Sequence, residues 1–220
     1  CLYSDDTQMT IALTEGVLDA GLYASIDDQM NAIGHRFIDW LYSPDNDRAP
    51  GTTCMNGVER YEQGMSWHVS GILESKGCGS AMRVATLGYF YQNNDRRLRE
   101  IAAASSLITH GHPTAIAASV AAAYLVKLAL DELPSMDYLR STSDFVANIS
   151  NEFDLALMRV NDVLSWDDEE LALERIGQGW TGEEAVALAL YCVLRHPDDY
   201  TACVRRAANI NGDSDSVASI

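Results

Sequence analysis

Apolar residues recur at three- and four-residue steps along almost the whole chain, and no segment sustains the alternation of a strand. That single pattern limits the fold to packed helices. Met9, Ile11, Leu13, Val17, Leu18 and Leu22 form one such stripe between Met9 and Tyr23. Asp27 is positioned to cap the next, through Met30, Ile33, Phe37, Ile38 and Leu41, which Pro44 ends. A short helix is expected around Val58 to Tyr61, then an irregular glycine-rich stretch from Gly64 to Gly79, then helices over Ala81 to Phe90, Arg96 to Thr109 and Pro113 to Leu130. Proline at the first position suits the last of these. Ser143 to Val163 reads as one long amphipathic helix. Asp167 with Glu170, and Thr181 with Glu184, have capping-box spacing before Leu171 to Ile176 and Ala185 to Leu194, and a last helix spans about Asp199 to Asn209. The expected fold class is all-α, one compact domain over residues 1–220.

A chain of 220 residues buries roughly 70% of its unfolded surface, enough for a real core. Fifteen Lys and Arg against 32 Asp and Glu give a net charge of −17, which argues against a nucleic-acid backbone or an anionic membrane as partner. Pro113 to Leu130 is apolar but alanine-rich and carries Lys127, so it reads as a core helix and not a span. The five cysteines, Cys1, Cys54, Cys78, Cys192 and Cys203, are odd in number and lack CxxC spacing. No disulfide framework or structural zinc is expected, and a reducing, cytoplasmic location is. The sequence opens on Cys1 and stops at Ile220 beside polar motifs, so both ends read as cut.

Four clusters carry chemistry. Tyr3-Ser4-Asp5-Asp6-Thr7 is either a helix start, where Ser and Asp are favoured, or a set of hard oxygen ligands. Asn211-Gly212-Asp213-Ser214-Asp215-Ser216 aims two carboxylates to one side, or else caps a helix. It also fits the D-x-D-x-V nucleophile of a phosphatase, although no apolar strand precedes it; it lacks the later ligands of an EF-hand. Ser75-Lys76-Gly77-Cys78-Gly79-Ser80-Ala81-Met82-Arg83 opens a helix through glycines that let backbone N–H groups approach a phosphate, or simply turns the chain. Thr109-His110-Gly111-His112-Pro113 offers an H-x-H zinc pair or an ordinary helix end, and His110 is favoured as a donor to a substrate oxygen with His112 structural. Walker A and nucleophile-elbow spacings are absent. Four carboxylates brought together from the two chain ends would repel unless divalent ions lay between them.

With Arg48-Ala49-Pro50-Gly51-Thr52 added, the order of these motifs closely resembles the ADP-ribosylglycohydrolase family, along essentially the whole chain. The resemblance implies an all-α hydrolase with two Mg²⁺ (or Mn²⁺) ions that cleaves the glycosidic bond at the distal ribose of ADP-ribose. Its substrates would be ADP-ribosylated proteins or ADP-ribose-containing small molecules, and it would act as a monomer. The family's metal ligands carry over to Ser4, Asp5, Asp6, Asp213, Asp215 and Ser216, with serine where threonine is common. Whichever of Asp5 and Asp6 is not fully committed to coordination would move the proton in catalysis. Gly51 and Thr52, the loop Ser75, Lys76, Gly77, Cys78, Gly79 and Ser80, and His110 would surround the diphosphate and distal ribose. Gly179 and Trp180 would line the adenosine side, against a reading of Trp180 as core packing before Thr181. The family's N-terminal glycine-rich helix and C-terminal small-residue helix would lie beyond the two ends, and some arginine-specific members carry an acid where this chain has Arg48 to Gly51. The competing readings are an inactive, crystallin-like ADP-ribose-binding relative and a phosphatase using Asp213.

Overall fold

A computed structural model describes residues 3–220; Cys1, where the sequence opens, lies outside them. Twelve α-helices are formed: α1 (Asp5–Ala20), α2 (Ile26–Leu41), α3 (Thr52–Glu62), α4 (Ala85–Phe90), α5 (Asp95–Leu107) and α6 (Pro113–Leu130), then α7 (Tyr138–Val146), α8 (Asn151–Val163), α9 (Glu169–Ile176), α10 (Gly182–Arg195), α11 (Tyr200–Ala207) and α12 (Ser214–Ser219). Two short 3₁₀ turns, Cys78–Ser80 and Ser135–Asp137, complete the described elements, and no strand is present among those residues.

Helix α6 is the hub. Its alanines at 115, 117, 118, 121, 122 and 123 are buried, which leaves room for α4, α5, α7 and α10 to close around it. Its length and apolar composition would suit a bilayer span, but here 56% of it is buried against the other helices. Glycine makes the closest approach possible: a Cβ on Gly88 of α4 would lie 2.3 Å from the Ala123 carbonyl oxygen. Gly88→Ala is therefore expected to cost about 1–3 kcal/mol by overpacking, read as a lower midpoint in urea unfolding, with the helical far-UV spectrum kept. Helix α10 is buried on nearly every side and joins α6 to α8, α11 and α12. Helices α1 and α2 pair along their length, and α1 also meets α4 and α12, so the first and last helices of the chain touch.

Several local expectations need correction. The stripe from Ser143 to Val163 is broken: α7 ends at Val146, Asn148 takes a left-handed φ of +67°, and Ser150 starts α8 by accepting from the Phe153 N–H. The apolar period runs through this break because both helices face the same core. Ser25, not Asp27, caps α2, and Asp168, not Asp167, caps α9, each accepting from an N–H three residues on. Thr181 occupies the cap position of α10 without making a side-chain cap, and its partner Glu184 is used elsewhere. Helix α3 is longer than its apolar stripe suggested, and α12 is an additional helix. Cys54, Cys78, Cys192 and Cys203 are all free.

Candidate active site

The start of α1 and the start of α12 face each other across one cleft of about 380 Å³. Asp5 and Asp6 enter it from α1, and Asp213, Asp215 and Ser216 from α12. Both Asp5 and Asp6 are buried, at 5% and 2% exposure.

The side chains at these helix starts do not cap. Ser4 sits at the α1 cap position with no cap bond; its hydroxyl donates to Asp6 Oδ2 at 2.8 Å. The other Asp6 oxygen accepts from Ser219 Oγ at 3.1 Å, which ties α12 directly to α1. Asp213, at the α12 cap position, likewise makes no cap bond, and its Oδ2 faces Cys78 Sγ at 2.8 Å. Asp5 Oδ2 accepts from the Gly51 N–H at 3.2 Å, while its own N–H donates to the Arg48 carbonyl at 3.0 Å. The Arg48–Gly51 loop is thereby bound to the top of α1. Helix capping, the simpler reading of both acidic motifs, is not how these groups are used.

Electrostatically the cluster is unbalanced. Among the described residues no Lys, Arg or His forms an ion pair with Asp5, Asp6, Asp213 or Asp215. Burial first, and then the neighbouring Asp6 and Asp215, push Asp5 up to about 7. Asp6 is raised by burial and by Asp215, against the lowering pull of its serine partners. Asp213 is pushed up to about 6 by burial and by the adjacent Asp215, opposed by the Cys78 thiol. Burial and the adjacent Asp213 hold Cys78 well above the ordinary thiol range, so it is a neutral donor and not a nucleophile. Four carboxylates and two hydroxyls are hard oxygen donors, and a divalent cation is the partner that would relieve their repulsion. No three Asp, Glu, His or Cys side chains among the described residues already close around one point. Asp6 is turned to Ser4 and Ser219 and Asp213 to Cys78, so two of the acids here accept from hydroxyl and thiol groups.

Glycines bring the remaining wall close. A Cβ on Gly212, at φ +155°, would fall 2.0 Å from the Gln178 carbonyl oxygen, and the Asp213 N–H donates to that same oxygen at 2.9 Å. Glu184 Oε2 accepts from the N–H groups of Gln178 and Gly179, at 3.0 and 3.2 Å. The Gly177–Trp180 segment is thus pinned on one side to α10 and on the other to α12. Trp180 lines the cleft and is 59% exposed, which overturns its core-packing reading. The glycine-rich loop joins the same wall, with the Gly182 N–H donating to the Lys76 carbonyl at 2.7 Å.

Gly51, Thr52, Gly77, Cys78, Gly79 and His110 also line the cleft. Five other candidates do not, the first being Ser4, whose hydroxyl is turned to Asp6. Ser75 Oγ is turned to Thr53 Oγ1 and the Gly77 N–H. Lys76 is drawn away by Glu152 and Glu183, 3.0 and 3.8 Å from its ammonium. Ser80 is fully buried and donates to the Ala115 carbonyl. Gly179 lies behind the wall, where a Cβ would strike Val217. His112 is structural, capping α6 by accepting from the Thr114 N–H at 3.1 Å. Ala49, Met82 and Gly212, which fall inside the quoted motifs without an expected role, line the cleft as well; Thr53 and Cys54 complete the lining and lay outside every motif, as did Ser219. Only the i+3 spacing of Ser219 from Ser216 hinted that both share one face of α12.

The family model described as ADP-ribosylglycohydrolase matches residues 2–220. An uncharacterized protein of Archaeoglobus fulgidus is 26% identical over 99% of this chain and 68% of its own length. The ADP-ribosylhydrolase ARH3 of Mus musculus is 25% identical over 99% of this chain and 67% of its own. A solved structure described as an ADP-ribosylglycohydrolase-related protein complex shares the fold, with a TM-score of 0.74 and 24% identity over 99% of this chain and 68% of that one. The chain belongs to the ADP-ribosylglycohydrolase family.

Proposed function

We propose that this protein is a metal-dependent hydrolase that releases ADP-ribose from a modified side chain or small molecule by cleaving the glycosidic bond at the distal ribose. One observation carries the proposal: the buried carboxylates Asp5 and Asp6 meet the half-buried Asp213 and the exposed Asp215 from the other end of the sequence, none paired with a base among the described residues, on a cleft that also holds a glycine loop, a neutral histidine and an exposed tryptophan. Asp5, Asp6, Asp213 and Asp215, with Ser4 and Ser216, are the oxygen donors for two Mg²⁺ or Mn²⁺ ions. When bound, such ions offset the acids, hold ribose hydroxyls and make water more acidic.

The residues of the chain divide the remaining work. Cleavage develops oxocarbenium character at the ribose carbon as the bond to the leaving nitrogen or oxygen lengthens, and water adds to that carbon. Asp6 is committed on both oxygens to hydroxyls, whereas Asp5 is held by backbone amide alone, so Asp5 is the carboxylate placed to accept the water's proton. The open backbone at Gly77 and Gly79 admits the diphosphate, and His110 hydrogen-bonds it. Trp180 offers its exposed face to adenine; Trp180→Ala is expected to weaken ADP-ribose binding about tenfold in calorimetric titration while sparing metal binding.

The test is ADP-ribose release from arginine-, serine- and acetyl-linked substrates, with Mg²⁺ or Mn²⁺ and with EDTA. Release from one linkage that EDTA abolishes supports the reading. Tight ADP-ribose binding with no turnover on any linkage supports the binding-protein alternative.

A further inference from the structure

Among the described residues Arg83 is the largest fully buried side chain, and no carboxylate pairs with it. One side of its guanidinium reaches only sulfur, Met9 Sδ at 3.7 Å and Cys54 Sγ at 3.9 Å, and it lies 4.5 Å from the centre of the Phe37 ring. Its Nε is buried without a partner. Its two good hydrogen bonds both leave from Nη2, to the Ser105 carbonyl and to Thr109 Oγ1, each at 2.9 Å. A buried cation without a counter-ion is a poor way to fill a core. What it touches points to another role.

Thr109 Oγ1 stands between Arg83 and the Nδ1 of His110, 2.9 Å from each. A guanidinium only donates, so the threonine oxygen accepts there and keeps its own hydrogen. The only other partner of that hydroxyl among the described residues is His110 Nδ1. A proton on Nδ1 would leave a fully buried hydroxyl hydrogen with no acceptor, whereas a bare Nδ1 satisfies every group in the row. The imidazole proton then sits on Nε2. That nitrogen has no partner among the described residues and faces the glycine loop, where a Cβ on Gly77 would come within 3.1 Å. Burial and the nearby Arg83 push His110 down to about 3, so the ring carries one proton, not two.

We propose that Arg83 and Thr109 are positioning residues that lock His110 as its Nε2–H tautomer, making a neutral imidazole a dedicated donor to a ligand oxygen in the cleft. The ligand half of this statement rests on the ADP-ribose reading; the tautomer half does not.

Long-range ¹H–¹⁵N spectra of the ligand-free protein with labelled histidine test the lock directly. The expected result is a protonated Nε2 and a bare Nδ1 on His110. Thr109→Val should move proton density to Nδ1 and weaken ADP-ribose binding about tenfold, and Thr109→Ser should restore both. A protonated Nδ1 in the unaltered protein overturns the proposal, as does a Thr109→Val variant in which tautomer and affinity are unchanged. If Thr109→Val fails to fold, the spectrum of the unaltered protein decides alone. An Nε2–H tautomer in a protein that binds no ADP-ribose in the presence of Mg²⁺ would uphold the lock and refute the substrate.

Discussion

Replacing Asp213 and Asp215 together with asparagine should reduce ADP-ribose release by on the order of a thousandfold or more, because half of the carboxylates offered to divalent ions disappear. The same variant should lose Mn²⁺ binding by calorimetry. Its fold should survive, for a physical reason. In the metal-free protein these groups are neighbouring acids in mutual repulsion, Asp213 half-buried and pushed up to about 6. Neutral amides remove that repulsion, so above pH 7 and in EDTA the variant should melt no lower than the unaltered chain. Loss of activity with unchanged melting separates a ligand role from a structural one. Unchanged activity would refute the proposed chemistry.

Acidifying the metal-free protein from pH 8 to about 5.5 should stabilise it, the opposite of what paired carboxylates would do. Asp5 and Asp213 have folded values of about 7 and about 6 against an ordinary 3.8. A raised carboxyl contributes stability that is complete below its unfolded value and is lost as pH climbs through its folded value. For these two groups the loss runs from about pH 4 to 7. His110 works against them: lowered to about 3 from 6.5, it favours the folded state above pH 6.5 and gives up that contribution as pH falls toward 3. At pH 5.5 the two aspartates outweigh the histidine by about 1–2 kcal/mol at 1.4 kcal/mol per unit. The check is urea unfolding in EDTA at both pH values, repeated with Mg²⁺ or Mn²⁺. Bound cations should raise the midpoint most at pH 8 and flatten the profile. A metal-free midpoint that rises with pH would show that the acids are compensated in some other way.

The helices were legible where local signals and the core agreed. Pro113 to Leu130 begins and ends as its proline and apolar run indicate, since nothing in the fold opposes them. The break at Asn148 was not legible, because Phe145, Phe153, Leu157 and Val160 keep helical spacing across it while the chain turns. Caps were displaced by a residue or two where several candidates lie side by side, as at Ser25 to Asp28 and Asp167 to Glu170. The site divides in the same way. Acidic pairs and glycine clusters announce themselves, since such residues have few roles in a helical chain. Cys54 and Ser219 lay outside every motif, and Met82 stood in one without an expected role; only the meeting of α1, α12 and the glycine loop brings Cys54 and Met82 to the cleft and Ser219 against Asp6. Lys76 shows the converse error. Its place in the phosphate-type loop suggested a ligand contact, but Glu152 and Glu183 stand nearer and hold it.

The most direct measurement is anomalous diffraction at the manganese edge from crystals of this chain grown with Mn²⁺. Strong peaks between the Asp5–Asp6 pair at the start of α1 and the Asp213–Asp215 pair at the start of α12 are the predicted result. A cleft without anomalous density at saturating Mn²⁺, its acids still joined to one another and to Ser4, Ser219 and Cys78, would contradict it.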